Sequence, residues 1–222
     1  MFKKVLVAED LDSISIAVIQ VLEELKVPTI HHVKYCDDGL LKIKKGLNDN
    51  QPYDLLITDL SFKTDHRESN LTCGDELIAA ANEVQSDLKK IVFSIEDKSY
   101  RIKTLFDDLG VNAYVSKGRN SINELRNAIE GTFRNEEKII SSDLSFSFND
   151  KALIEIEAYD ISILKLLAQG YILENISNEF KSLSITPNGT SSIEKRINKL
   201  KIYFKANNNV HLIAIAKDFG LV

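Results

Sequence analysis

Cysteine is nearly absent from this chain: Cys36 and Cys73 are the only two in 222 residues. They lie far apart and without a Cys-x-x-Cys spacing, which excludes a disulfide framework and a zinc ribbon and fits a reducing compartment. Long apolar runs are missing as well. The basic start, Met1 to Lys4, leads into an apolar run that ends at Glu9-Asp10, too short for a signal-peptide core or a membrane span, so a cytoplasmic protein with no membrane partner is expected. Histidine is scarce: His31 and His32 are neighbours in one expected strand and point to opposite faces, while His66 and His211 have no partner at metal-ligand spacing. With nine glycines and three prolines the composition is neither collagen-like nor disordered, and no internal repeat is visible. The net charge of -5 argues against nonspecific nucleic-acid binding by the whole chain, but the average hides an asymmetry. From Lys151 onward nine Lys plus Arg face seven Asp plus Glu, a balance of +2, which leaves 19 against 26, or -7, for the first 150 residues.

What is present begins as an alternation. Lys4 to Ala8 is a short apolar run rich in β-branched residues, and Ile14, Val18, Val21 and Leu25 then recur at helical spacing. Strand patterns return at Thr29 to Val33, Leu55 to Asp59, Ile91 to Ser94 and Ala113 to Ser116. Helical stripes separate them at Leu40 to Leu47, Leu77 to Val84 and Arg101 to Leu109, and the stripe Ile122, Leu125, Ile129 and Phe133 closes the series. Five β-α units with crossovers of this length predict an α/β fold with a doubly wound, five-stranded parallel sheet covered by helices on both faces. In such sheets chemistry gathers beyond the carboxyl ends of the strands. The polar, serine-bearing stretch from residue 135 to 152 breaks the alternation and reads as a linker. After it Ile161 to Ala168, Leu173 to Phe180, Ser191 to Phe204 and Val210 to Phe219 all read as helices, hence a small all-α second domain over 153–222.

The strand ends collect polar residues. Glu9 and Asp10 follow the first strand, Asp59 ends the third, Ser94 ends the fourth and Lys117 closely follows the fifth. Three carboxylates on one rim repel one another unless a cation joins them, and an oxygen-only donor set of this kind suits Mg2+. A lysine and a hydroxyl beside them can hold the oxygens of a phosphoryl group once a carboxylate has attacked a phosphodonor. Any one of these residues has a bland alternative: the acids could serve only helix starts, Asp59 a turn, Lys117 solvent. Their joint placement, each at its own strand end, favours the chemical reading. Other α/β chemistries fit less well. The turn Ala8-Glu9-Asp10 has no glycine, against a dinucleotide or flavodoxin-type phosphate loop, and Ser61 stands where a haloacid-dehalogenase phosphatase would need a second aspartate.

On the acidic pair Glu9-Asp10, the Leu-Leu-Ile-Thr-Asp59 run, the hydroxyl of Ile-Val-Phe-Ser94 and Tyr114-Val-Ser-Lys117, residues 1–134 resemble a bacterial receiver domain. The resemblance implies that Asp59 accepts a phosphoryl group from a histidine kinase or a phosphotransfer protein. It also implies that Glu9, Asp10, Asp59 and the backbone carbonyl of Ser61 hold Mg2+, that Ser94 and Lys117 bind the phosphoryl oxygens, and that Tyr114 repacks as Ser94 moves. The chain departs from the family at Phe62-Lys63, where a Met-Pro pair is usual, in the long polar stretch Lys63 to Thr72 before Gly74, and at Gly118, where proline, often after a cis bond, is usual.

The helix expected from Ser191 sets Ile193, Ile197, Leu200 and Phe204 on one arc and Ser191, Ser192, Lys195, Asn198 and Lys199 opposite, with Arg196 and Lys201 on the flanks. One face is core, and the other can enter a major groove while the flanking cations meet phosphates. With Leu-Leu-Ala-Gln-Gly170, Ile176, Phe180 and Lys199-Leu200, this half resembles the LuxR-type helix-turn-helix DNA-binding domain, although Asp160 replaces the usual glutamate and Ser184 to Gly189 lengthens the connection before the recognition helix. The resemblance implies double-stranded DNA as partner, with contacts from Ser191, Ser192, Lys195, Arg196, Lys199 and Lys201, and a homodimer formed through the last helix. The combined expectation is a response regulator of a two-component phosphorelay that regulates transcription and is not itself an enzyme. An adaptor whose helical half binds a protein is the alternative, and an autonomous phosphatase acting through Asp59 fits least.

Overall fold

The structure, a computed structural model, describes residues 1–63, 65–136, 138–142, 144 and 156–222. Two compact units result, Met1–Asp97 with Ile102–Phe146 and Lys98–Arg101 with Ser147–Val222.

The first unit is a parallel sheet with helical crossovers. Strands β1 (Lys4–Ala8), β2 (Thr29–Val33), β3 (Leu55–Thr58), β4 (Lys89–Ser94) and β5 (Ala113–Ser116) alternate with helices α1 (Asp12–Glu24), α2 (Cys36–Asn48), α3 (Gly74–Val84), α4 (Ser99–Asp107) and α5 (Ser121–Phe133). With β6 (Ile139–Ile140) at one edge, the sheet order is β2-β1-β3-β4-β5-β6, and every neighbouring pair is parallel. β1 and β3 are Val, Leu and Ile runs because both of their faces are covered, and Val5, Leu6, Leu55 and Leu56 have no exposed surface. On one face Val18, Val21 and Leu22 of α1 and Leu125, Ala128 and Ile129 of α5 pack against Val5, Val7, Ile57, Ile91 and Phe93.

The sixth strand, β6 (Ile139–Ile140), corrects the expectation of five. After α5 the chain turns through Asn135, whose φ is 59°, and Ile139 N–H and Ser141 N–H donate to the carbonyls of Asn112 and Tyr114. Ser141 Oγ also accepts from Ser116 N–H at 2.8 Å. Part of the stretch read as linker therefore extends the sheet. Residues 137, 143 and 145–152 of that stretch lie outside the described residues.

The second unit contains α6 (Ala158–Ala168), α7 (Leu173–Ser182), α8 (Thr190–Tyr203) and α9 (Asn209–Asp218). Ile161, Leu164 and Leu167 of α6, Ile176 and Phe180 of α7, Ile193, Ile197 and Leu200 of α8, and Leu212 and Ala216 of α9 close around one core. Gly170 ends α6 at φ 85°, a left-handed conformation that suits glycine. Asn208 caps α9 by accepting from His211 N–H at 2.8 Å. On that helix Leu212 and Ala216 face the core, while Val210 is 77% exposed.

Candidate functional site

The sheet order brings the polar strand ends together. β1 and β3 are neighbours, so Glu9 and Asp10 after β1 meet Asp59 after β3, and carboxylate oxygens from all three lie within 4.8 Å of one another. Lys117, just beyond β5, reaches across β4: its Nζ donates to Glu9 Oε2 at 2.7 Å and to Asp59 Oδ2 at 2.6 Å. Backbone N–H groups take other lone pairs, Leu60 on Asp59 Oδ1 at 2.6 Å, Leu11 on Glu9 Oε1 at 3.1 Å and Lys63 on Asp10 Oδ2 at 2.9 Å. Three carboxylates against one ammonium leave a formal charge of -2 in a site where Glu9 and Asp59 are buried. Burial pushes the Glu9 carboxyl above its ordinary range, and the hydrogen bond and charge of Lys117 offset part of that rise. Hard oxygen donors with two uncompensated charges fit a small divalent cation.

Ser94 gives a second sign of a missing partner. Its side chain is buried, and among the described residues its Oγ makes no hydrogen bond. A buried hydroxyl left in this state costs about 1–3 kcal/mol, a penalty that a group bound at the rim would remove. Register pairs Ser94 with Ser116, one residue before Lys117, and Lys117 N–H donates to the Ser94 carbonyl at 2.8 Å. Tyr114, on the same strand, is fully buried, and its hydroxyl donates to the Glu96 carbonyl at 2.6 Å. Ser61 forms a bridge with Cys73 at the start of α3. Gly74 then passes so close to Asp59 that an added Cβ would lie 1.9 Å from the Asp59 carbonyl oxygen. The late glycine was visible in the sequence, but its steric reason was not. The Lys117–Gly118 peptide is trans, and burial pushes the Cys36 and Cys73 thiols upward, so neither is a thiolate nucleophile at neutral pH.

The long loop before Gly74 is tied to the start of α2. Arg67 forks onto both carboxylate oxygens of Asp38 at 2.9 and 2.6 Å and lies 4.4 Å from the Tyr35 ring centroid. Asp37 accepts from the N–H groups of Asn70 and Leu71.

In the helical unit, α8 presents Ser191, Ser192, Lys195, Asn198 and Lys199 as exposed residues, with Lys201 half-buried. Arg196 departs from the expectation that it meets DNA phosphates. Its guanidinium clasps Asp160, which has no exposed surface: Nε donates to Oδ1, and a terminal nitrogen donates to Oδ2 at 2.6 Å. Asp160 also accepts from Glu157 N–H at 3.0 Å. A buried carboxylate needs a charged partner, and that need holds the flanking Arg196 against Asp160. The signal available in the sequence was an acid set between Tyr159 and Ile161 on a core helix.

Each unit has the fold of its counterpart in solved response-regulator structures, an open parallel α/β sheet in the first and a small all-α domain in the second. No family model matches the sequence, and no curated sequence matches it significantly. Solved structures do match in fold. The chain is similar to RcsB in a structure of two RcsB dimers bound to two parallel DNAs, with 17% identity, a TM-score of 0.65, and coverage of 97% of this chain and 98% of that one. It is similar also to the two-component response regulator RcsB in complex with DNA, with 17% identity, a TM-score of 0.62, and 97% and 98% covered. A third similar structure is RcsB from Salmonella enterica serovar Typhimurium bound to the promoter rprA in the presence of the phosphomimetic BeF3-, with 18% identity, a TM-score of 0.59, and 95% and 96% covered. Among the described residues no helix is long and apolar enough to cross a membrane.

The ion pair in the helical unit generates a stability prediction. Arg196→Ala leaves Asp160 buried without its cation and destabilises that unit by about 3 kcal/mol. Lys199→Ala, on the exposed arc, stays within about 0.5 kcal/mol of the parent. Urea unfolding followed by circular dichroism measures both, and equal midpoints for the two variants contradict the assignment of Arg196 to the core.

Proposed function

We propose that the protein is a phosphorylation-controlled transcription regulator, in which residues 1–134 act as a receiver and residues 153–222 bind DNA. The observation that carries the first half is the clamp of Lys117 on Glu9 and Asp59 beside Asp10. Asp59 attacks the phosphorus of a phosphohistidine on a sensor kinase or phosphotransfer protein. An O–P bond forms, the P–N bond breaks, and the imidazole departs. Lys117, already on Asp59 Oδ2, pairs with the arriving phosphoryl oxygens. Ser94 Oγ donates its unused hydrogen bond to the same group, and Tyr114 repacks with it. Contacts made only to the phosphorylated form bias one conformation, which is the physical basis of the switch. Glu9, Asp10, Asp59 and the Ser61 carbonyl would hold Mg2+, which when bound supplies neutralisation of the charge on the carboxylates and the phosphoryl group. The receiver takes up phosphate without turning over a substrate of its own, so the protein is a signalling component in place of a metabolic enzyme.

The DNA-binding half is supported by the fold shared with RcsB in its DNA complexes and by the outward lysines of α8. Ser191, Ser192, Lys195 and Lys199 read the major groove, Lys201 meets the backbone, and Arg196 is not among the contacts. The exposed side of α9 around Val210 pairs two copies into a homodimer.

Two outcomes follow. Incubated with a small-molecule phosphodonor and Mg2+, the parent protein acquires one acid-stable, base-labile acyl phosphate, whereas Asp59→Asn acquires none and chelator abolishes labelling of the parent. Equal labelling of both proteins, or labelling indifferent to chelator, removes Asp59 from its role. In the helical half, Lys201→Ala weakens binding to all DNA sequences alike and lowers the salt slope by about one unit. Lys195→Ala instead changes the preferred site, at about 1–3 kcal/mol if the lysine meets a guanine edge. Both are read by fluorescence anisotropy against salt. Unchanged affinity, preference and slope in both variants transfer the helical half to the adaptor reading.

A further inference from the structure

The lengthened connection before α8 builds something that the DNA-reading role does not use. Thr186 and Pro187 stand across from α8 and, with Tyr159 and the α8 residues, enclose a groove of about 640 Å³, within the roughly 300–1,000 Å³ typical of small-molecule sites. The wall is held firmly. Tyr159 hydroxyl donates to the Pro187 carbonyl at 2.5 Å, Ser177 hydroxyl donates to the Asn188 carbonyl at 2.6 Å, and Asn188 Nδ2 donates to the Ile185 carbonyl at 3.1 Å. The Tyr159 ring also rests on Phe180, with centroids 5.2 Å apart. The lining is mainly apolar and includes Ile202, a large aliphatic side chain that is 79% exposed.

Charge decides what such a groove takes. Lys195 and Lys199 line it and make no ion pair or hydrogen bond among the described residues. The acid that also lines it, Glu157, sits 3.6 Å from Arg196, itself clasped by Asp160. An apolar lining with two lysines that have no charged partner among the described residues matches a molecule with an apolar body and an anionic head. We propose that this groove is a binding site for an amphipathic carboxylate, with the tail against Tyr159, Pro187 and Ile202 and the carboxylate on Lys195 and Lys199. Both lysines also belong to the surface assigned to DNA. Ligand and DNA therefore exclude each other, and by linkage each weakens the other. Only this exclusion rests on the DNA-binding reading; the site itself does not.

Decanoate below its micelle concentration, titrated into the full chain by calorimetry, tests the site without DNA. Saturable one-to-one binding is expected, and Ile202→Glu, which puts a like charge against the tail, binds at least tenfold more weakly. The double variant Lys195→Gln/Lys199→Gln, which loses the charge-assisted hydrogen bonds, is also weaker by about tenfold or more. Decyltrimethylammonium, with the same tail and the opposite head, does not bind. Absence of saturable decanoate binding, binding as tight as the parent's by either variant, or binding of the cation as tight as that of decanoate overturns the site. All three substitutions are at exposed positions, and circular dichroism verifies that the variants are folded before titration. In a second arm decanoate displaces fluorescent DNA from the parent with a midpoint that rises in proportion to the DNA concentration. Simultaneous binding of decanoate and DNA overturns the exclusion. A chain that binds decanoate and never DNA keeps the site and contradicts the DNA-binding reading, so the two failures are distinguishable.

Discussion

An ammonium shared between two buried carboxylates organises the receiver-like unit. Lys117 meets Glu9 and Asp59 at 2.7 and 2.6 Å, and no two of the three residues belong to the same strand end. The contact forms only because the chain order folds into the spatial order β2-β1-β3-β4-β5, which sets the ends of β1 and β3 side by side and the end of β5 within reach. Removing such charges from water costs several kcal/mol per ion, and one ammonium cannot neutralise three carboxylates. The site is thus built with charge left over, and it sits beside a buried hydroxyl on Ser94 with no partner among the described residues. A cluster kept only for stability would use these groups up. The proposed divalent cation and phosphoryl group would take them up.

The helical unit applies the same rule with the opposite result. Asp160 is buried, yet Arg196 satisfies it with two hydrogen bonds, and a third comes from the backbone of Glu157. That pair joins α6 to α8 and holds the helix whose outer arc carries Lys195 and Lys199. Position along α8 decides each cation's work: Arg196, at the boundary of core and surface, holds the helix in place, whereas Lys195 and Lys199 extend from it.

Much of this was legible because the governing signals are local. Runs such as Lys4–Ala8 and Leu55–Thr58 are long enough to show β propensity, and a receiver's polar residues fall at strand ends that the same runs define. β6 escaped notice because two isoleucines, Ile139 and Ile140, make too short a run to carry a period, and their pairing with β5 depends on the turn after α5. The Arg196–Asp160 pair escaped notice for a related reason. A helical wheel reports the direction of a side chain but not its partner, and Asp160 lies 36 residues away. The steric demand on Gly74 and the groove beside Pro187 arise where segments distant in sequence approach each other, so no periodicity encodes them.

In the proposed switch, chemistry at Asp59 changes what the helical half does. DNA affinity measured at fixed salt, on protein phosphorylated to a known stoichiometry and on the same protein after the phosphoryl group has hydrolysed, tests it most directly. Tighter binding in the phosphorylated state, reversal on hydrolysis, and no response in Asp59→Asn are expected. Identical affinity for fully phosphorylated and unphosphorylated protein would contradict the switch.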